Sequence, residues 1–149
     1  KLKNIKYRGF YDGKMYQVKE IRFETEEVCL WKGKASNFIL IETSKVELMQ
    51  FTGLRDCNGV EICEGDIVKV KYNEMSWGRK IEHDFVGLVC CGEFESVERD
   101  GIYDYILGWF IKVKDTSLSL LNYDGNIEVI GHKFKNLTLL ESPVYITVL

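Results

Sequence analysis

The chain has one proline, two histidines and no long apolar run among its 149 residues. Each scarcity excludes something. The longest apolar runs, Phe38–Ile41 and Val144–Leu149, fall far short of the ~20 residues that a membrane-spanning helix needs. Lys1 to Phe10 carries basic residues with no apolar core after them, so no secretory leader is expected. With only His83 and His132, few imidazoles are available for proton transfer near neutrality. The sequence holds no Gly-x-Ser-x-Gly elbow, no phosphate-binding glycine pattern and no His-Glu-x-x-His pair.

Cysteine is present but not in a metal-binding arrangement. Cys29, Cys57, Cys63, Cys90 and Cys91 include no Cys-x-x-Cys pair. The adjacent Cys90 and Cys91 would point to opposite faces of a strand. An odd set without a secretory signature reads as reduced thiols, so neither a metal nor a cofactor is expected.

Charge of one sign is lacking too. The net charge is −3, with twelve Lys or Arg against eleven Asp or Glu in residues 1–70, and eight against twelve in residues 71–149. Neither half is a basic patch by composition, so composition supplies no broad grip on phosphates.

What the chain does have is apolar and aromatic content, 46% and 13%, well above that of a disordered chain. At this length folding hides roughly 70% of the extended-chain surface, enough for a core without staples. The apolar residues recur as short β stretches between turn signals. Ile5–Phe10 reads as a first strand, ended by Asp12-Gly13, and Met15–Phe23 follows with a bend near Lys19 and Glu20. Val28–Trp31 and the continuous run Phe38–Glu42 come next, the latter read as buried on both faces.

The passage from Leu48 to Val70 is denser in signals. Asn58-Gly59 marks a reversal, Val60–Ile62 a brief strand, and Gly65-Asp66 a second break before Ile67–Tyr72 restarts the β pattern. Asp66 is suited to capping that turn through backbone N–H groups. Asn73 to Asp84 is mostly polar and reads as a loop around Trp77. Phe85–Cys90 resumes a strand, with Gly87 marking a bulge or a close backbone contact. Gly92 to Asp104 reads as a short helix or a surface excursion. Ile106–Val113 and Ser117–Leu121 are further strands, and Asp124-Gly125 is a turn before Ile127–Ile130. Asn136 is a cap for a helical turn over Leu137–Leu140, and Val144–Leu149 is a terminal strand that begins after Pro143.

The pattern predicts a mainly β chain: a complex, small-barrel-like fold of short antiparallel strands with one or two short helical turns. A working boundary near Gln50 divides an N-terminal β subdomain, residues 1–50, from a C-terminal barrel-like one, residues 51–149, the two either sharing one core or each having its own.

On these residues the chain resembles the YopX family of phage and prophage proteins. The resemblance rests on Leu48-Met-Gln-Phe-Thr-Gly53, the Asn58-Gly59 reversal and the Glu64-Gly-Asp-Ile-Val68 strand entry. It extends to Ile5-Lys-Tyr-Arg-Gly-Phe10 and to Ile127-Glu-Val-Ile-Gly-His-Lys-Phe-Lys-Asn136, with Leu139 and Leu140 after it. Leu137 departs from the family's proline at that place. The resemblance implies a mostly β phage or prophage protein, located in the cytoplasm of a bacterial host cell. It brings no reaction and no catalytic residues with it.

Binding is therefore the expected class of function. The leading expectation is a non-enzymatic protein-interaction or accessory module, with a phage or bacterial host protein, or a second copy, as partner. Trp77 and Tyr72 are its candidate contacts, Trp77 because polar residues surround it. The alternative is a small-barrel nucleic-acid-binding protein using Lys69, Lys71, Tyr72, Trp77, Arg79 and Lys80. A cysteine-dependent enzyme, with Cys90 or Cys91 approaching His132, is the remotest reading. His83 is expected as a solvated loop residue and His132 as a turn residue. Asn58, Gly59, Gly65, Asp66, Asp124 and Gly125 are expected to define turns rather than chemistry.

Overall fold

The computed structural model describes residues 5–97 and 103–148, which form twelve strands and three short 3-10 turns. The mainly β expectation holds, as two antiparallel sheets. By its internal packing the chain divides into two units, residues 1–53 and 54–149.

The first unit contains β1 (Tyr7–Tyr11), β2 (Lys14–Arg22), β3 (Glu27–Trp31), β4 (Phe38–Glu42) and most of β5 (Glu47–Arg55), in the order β4-β3-β2-β1-β5. Asp12 and Gly13, at φ of 46° and 75°, make the two-residue turn between Tyr11 and Lys14. That positive-φ pair matches the right-handed twist of the strands it joins. The bend near Lys19 is a register shift between Val18 and Glu20. Val28, Leu30 and Val46 form the buried centre, with Val18, Ile41 and Leu48 packed against it. The Phe38–Glu42 run is not buried on both faces. It is an edge strand, paired with β3 alone among the described residues, and it is covered on one face: Phe38 and Leu40 face water while Ile39 and Ile41 face inward.

The second unit contains β6 (Glu61–Cys63), β7 (Asp66–Ser76), β8 (Arg79–Val97), β9 (Tyr103–Val113), β10 (Thr116–Ser119), β11 (Ile127–His132) and β12 (Tyr145–Val148). Its sheet runs β10-β9-β8-β7-β11, with β12 also on β8. Ile62, Val68, Val70, Phe85, Ile111 and Leu120 are among its fully buried core residues. Odd positions of β8 and β9 and even positions of β7 supply that core, as the period of two requires.

Three expectations fail here for identifiable reasons. Asn73–Asp84 is not a loop but the two ends of β7 and β8, paired from Asn73↔Glu82 to Ser76↔Arg79. This part of the ribbon extends past the core, so polar residues occupy both faces and no apolar alternation marks it. Gly92–Asp104 is neither a helix nor a simple excursion: β8 runs on to Val97 and β9 begins at Tyr103, while residues 98–102 lie outside the described residues. Asn136 precedes the Leu137–Glu141 turn but makes no side-chain cap. Its Oδ1 instead accepts the His132 backbone N–H at 3.2 Å.

The Leu48–Val70 passage holds the unit together through two buried carboxylates. Asp56 Oδ1 accepts the N–H groups of Asn58 and Val60, both at 2.8 Å, and its Oδ2 accepts that of Val129 at 2.9 Å. Asp66 Oδ2 accepts the Cys63 N–H at 2.7 Å across the Glu64-Gly65 turn. Gly59 and Gly65 both sit at φ 81° and Gly125 at 82°, where a Cβ would be strained. The Gly65 N–H donates to Val89 O, and its carbonyl accepts the Lys133 N–H, both at 2.9 Å. Burial would raise the pKa of Asp56, but its three backbone donors overcome that and hold the carboxyl below its ordinary range.

Two outcomes follow from this packing. Asp56→Asn puts an NH2 group among donors that need an acceptor. It should lower stability by about 3 kcal/mol near neutral pH, read from urea unfolding. Because the folded carboxyl ionises below the unfolded one, its contribution is fully present above about pH 5 and drains away as pH falls through the carboxylate range. The wild type should therefore lose stability on acidification more steeply than Asp56→Asn. A new Cβ on Gly87 would stand 2.9 Å from both Lys112 O and Val113 Cγ2. Backbone cannot yield as a side chain can, so Gly87→Ala should cost about 2 kcal/mol by the same measurement.

Candidate functional site

Beyond Val70 the strand β7 leaves β11, whose pairing runs only from Asp66 to Val70. From there to Ser76 its one ladder partner among the described residues is β8. The result is a β7–β8 hairpin, flanked by β12 along Ile81–Asp84 of β8, whose tip is Trp77-Gly78, with Ser76 opposite Arg79. The turn has positive φ at both central positions, 52° at Trp77 and 73° at Gly78. Such turns favour Asn-Gly or Asp-Gly, and a bulky residue at positive φ is a genuine outlier. Trp77 is also fully exposed, at 100%. A strained, wholly solvated indole contributes nothing to the core, and strain of this kind is commonly retained for function.

The ribbon has two faces. Tyr72, Glu74 and Ser76 share one with His83, Ile81 and Arg79, while Lys71, Asn73 and Met75 share the other with Asp84, Glu82 and Lys80. On the second face the lysines alternate with carboxylates. Lys71 is opposite Asp84, Lys69 is opposite Glu128 of β11, and Lys80 Nζ lies 2.8 Å from Glu82 Oε1. Lys69 and Lys71 also border a small concavity of about 230 Å³ with Cys57, Gly125, Asn126 and Glu128. Arg79 is on the first face and exposed. The six residues of the nucleic-acid alternative are thus split between two faces and a turn.

Tyr72 is not beside Trp77 on an open surface. It is half-buried, edge-on to Tyr123 at 5.6 Å and tilted against His83 at 5.6 Å. His83 is correspondingly not a solvated loop residue but a strand residue. Its Nε2 is 3.7 Å from Glu74 Oε1, and its ring lines a mostly apolar cavity of about 280 Å³ with Phe85, Leu118, Tyr123 and Val144. Burial, with the charge of Glu74 adding, pushes the Tyr123 phenol up and keeps it protonated. Along Tyr72–Trp77 runs a larger concavity of about 710 Å³.

Cys90 makes a poor nucleophile. Burial, reinforced by Glu64, pushes the Cys90 thiol up against the opposing pull of Lys112 and Lys133. A thiol raised in this way is protonated at neutral pH and unreactive. Its Sγ donates instead to Leu88 O at 3.6 Å. No group of three His, Cys, Asp or Glu with metal-binding geometry forms among the described residues. No helix there is long and apolar enough to cross a membrane.

The residue that local signals could not reveal is Asp56, since one of its partners, Val129, is 73 positions away. The strain at Trp77 was equally hidden, because nothing in Ser76-Trp-Gly-Arg79 resembles the usual hairpin dipeptides.

A family model described as YopX protein matches residues 6–141. The chain belongs to this family, one of phage and prophage proteins. Among solved structures it is similar to the crystal structure of protein EF1440 from Enterococcus faecalis. The two share 22% identity with a TM-score of 0.48, over 91% of this chain and 97% of that one. No curated protein matches.

The turn geometry yields a direct test. Trp77→Asn creates the Asn-Gly pair that this turn prefers and relieves the positive-φ strain. It should raise stability by about 1 kcal/mol in urea unfolding, whereas removal of a packed tryptophan would lower it by several.

Proposed function

We propose that this YopX-family protein is a non-enzymatic interaction module that docks a phage or bacterial host protein through the tip of the β7–β8 hairpin. The observation that carries the reading is Trp77, fully exposed at a backbone position that disfavours it. Tryptophan is the residue most enriched in interface hot spots, and burying its exposed rings against a partner is worth several kcal/mol. Met75, 71% exposed on the same strand, extends the apolar tip. The outer edge of β7 from Tyr72 to Ser76 supplies backbone groups to which an extended partner segment can add.

Nucleic acid fits this surface less well. A phosphate track needs cations whose field is not cancelled. Here Lys71 faces Asp84, Lys69 faces Glu128, and Lys80 is paired with Glu82.

Affinity capture from phage-infected cells, with wild type and Trp77→Asn as parallel baits, tests the reading. A partner retained by the wild type and lost with the folded variant is the expected outcome. Equal recovery by both would overturn the assignment to Trp77. Oligonucleotide titrations at two salt concentrations form the second arm: salt-sensitive micromolar binding would favour the nucleic-acid alternative instead.

A further inference from the structure

At the other end of β8 the ribbon carries a second surface that the hairpin reading leaves unused. Val89 pairs with Ile111 inside the core, and the same face continues outward through Cys91↔Trp109, Glu93↔Leu107 and Glu95↔Tyr105. Directly paired residues in an antiparallel ladder project to the same side. Ile111 is fully buried and Trp109 partly so, but Leu107 is 82% and Tyr105 73% exposed. The core-facing apolar stripe therefore runs past the core into water. Beside it stand Glu93 and Glu95, both exposed, and none of these six positions carries a cation.

The hairpin tip has the complementary character. From Met75 to Lys80 it presents Met75 and Trp77 with Arg79 and Lys80, and no carboxylate, although Lys80 is paired with Glu82. An apolar stripe edged with carboxylates is matched in hydrophobicity to the Met75–Trp77 tip and in charge to the exposed Arg79 beside it. They cannot meet within one molecule. Both lie on β8, where Arg79 and Glu93 are separated by roughly 45 Å of extended strand, and that strand is paired without a register break from Arg79 to Val97.

We infer that the occupant of the Tyr105–Leu107–Trp109 face is the Trp77 tip of a second copy of this chain. This rests on the reading of the hairpin as a contact element and names its partner. The contact is head-to-tail: each copy offers one tip and one face, so assembly continues until a ring closes or a filament grows. Opposite charges at its edges make it weaken as salt rises.

Sedimentation velocity on the full chain over a concentration series tests this. The wild type should form species larger than a dimer as concentration rises. Trp77→Asn and the double variant Tyr105→Glu with Leu107→Glu should each stay monomeric, with affinity reduced at least about tenfold. Both sets of substitutions are at exposed positions, and circular dichroism should show the fold retained. An equimolar mixture of the two variants should then form dimers and nothing larger, since only one intact tip and one intact face can meet. Wild type that remains monomeric throughout, variants that assemble as it does, or a mixture that stays monomeric would each overturn the proposal. If assembly fails while Trp77-dependent capture of another protein persists, the self-contact alone is wrong. If neither depends on Trp77, the hairpin reading falls with it.

Discussion

The carboxylate of Asp56 joins a turn four residues long to a strand far along the chain. It accepts from Asn58 and Val60 beside it and from Val129 in β11. A buried charge is tolerable only because backbone dipoles replace the lost water, and three N–H donors do so here. Asp66 repeats the device one turn later by accepting from Cys63, while Gly65 between them bonds to Val89 in β8 and to Lys133 after β11. Two short acidic turns thus receive two strands from elsewhere in the second unit. Since β8 is fixed at Val89, its two ends extend from a common anchor, one toward Trp77 and the other toward Val97.

This arrangement explains which parts of the fold were legible in the sequence. Turns that use ordinary chemistry could be read directly: Asp12-Gly13, Asn58-Gly59, Gly65-Asp66 and Asp124-Gly125 all lie where glycine takes positive φ. Strands with one wet and one dry face were also visible. The β7–β8 hairpin was not, because binary patterning reports burial, and a ribbon extending past its core has no dry face to report. Tryptophan at the tip hid it further by occupying a position that propensity assigns to asparagine or aspartate. The pairing of Asp56 with Val129 lay beyond any local signal, as did the choice of His132 rather than the following turn as the partner of Asn136.

Charge was legible only as a total. A near-balanced count is compatible with an even mixture or with separated patches, and the second unit contains both. Along the first half of β8 the lysines are opposite carboxylates or paired with them, as in Lys71↔Asp84 and Lys80–Glu82. Along its second half Glu93 and Glu95 share a face with Leu107 and Tyr105 and with no cation. Fields from closely paired charges cancel within a few ångström, whereas like charges on an apolar background reinforce one another. Glu93 and Glu95 therefore give the apolar stripe beside them an acidic edge, which repels phosphate and suits a basic, apolar protein segment.

The strain at Trp77 gains meaning from the same geometry. A residue at positive φ with a large side chain gives up about 1 kcal/mol that an asparagine would keep, and full exposure returns none of it by packing. A loose loop would relax and abolish the strain. Here the ladder from Ile67↔Leu88 to Ser76↔Arg79 is unbroken, and β12 braces β8 from Ile81 to Asp84, so the turn is held in place. The backbone that carries the indole is thereby held at the end of a paired strand. A contact residue on a fixed backbone loses less further freedom on binding than one on a loose loop. Rigidity, exposure and strain at a single residue are together more informative than any of them alone, because core packing explains none of the three.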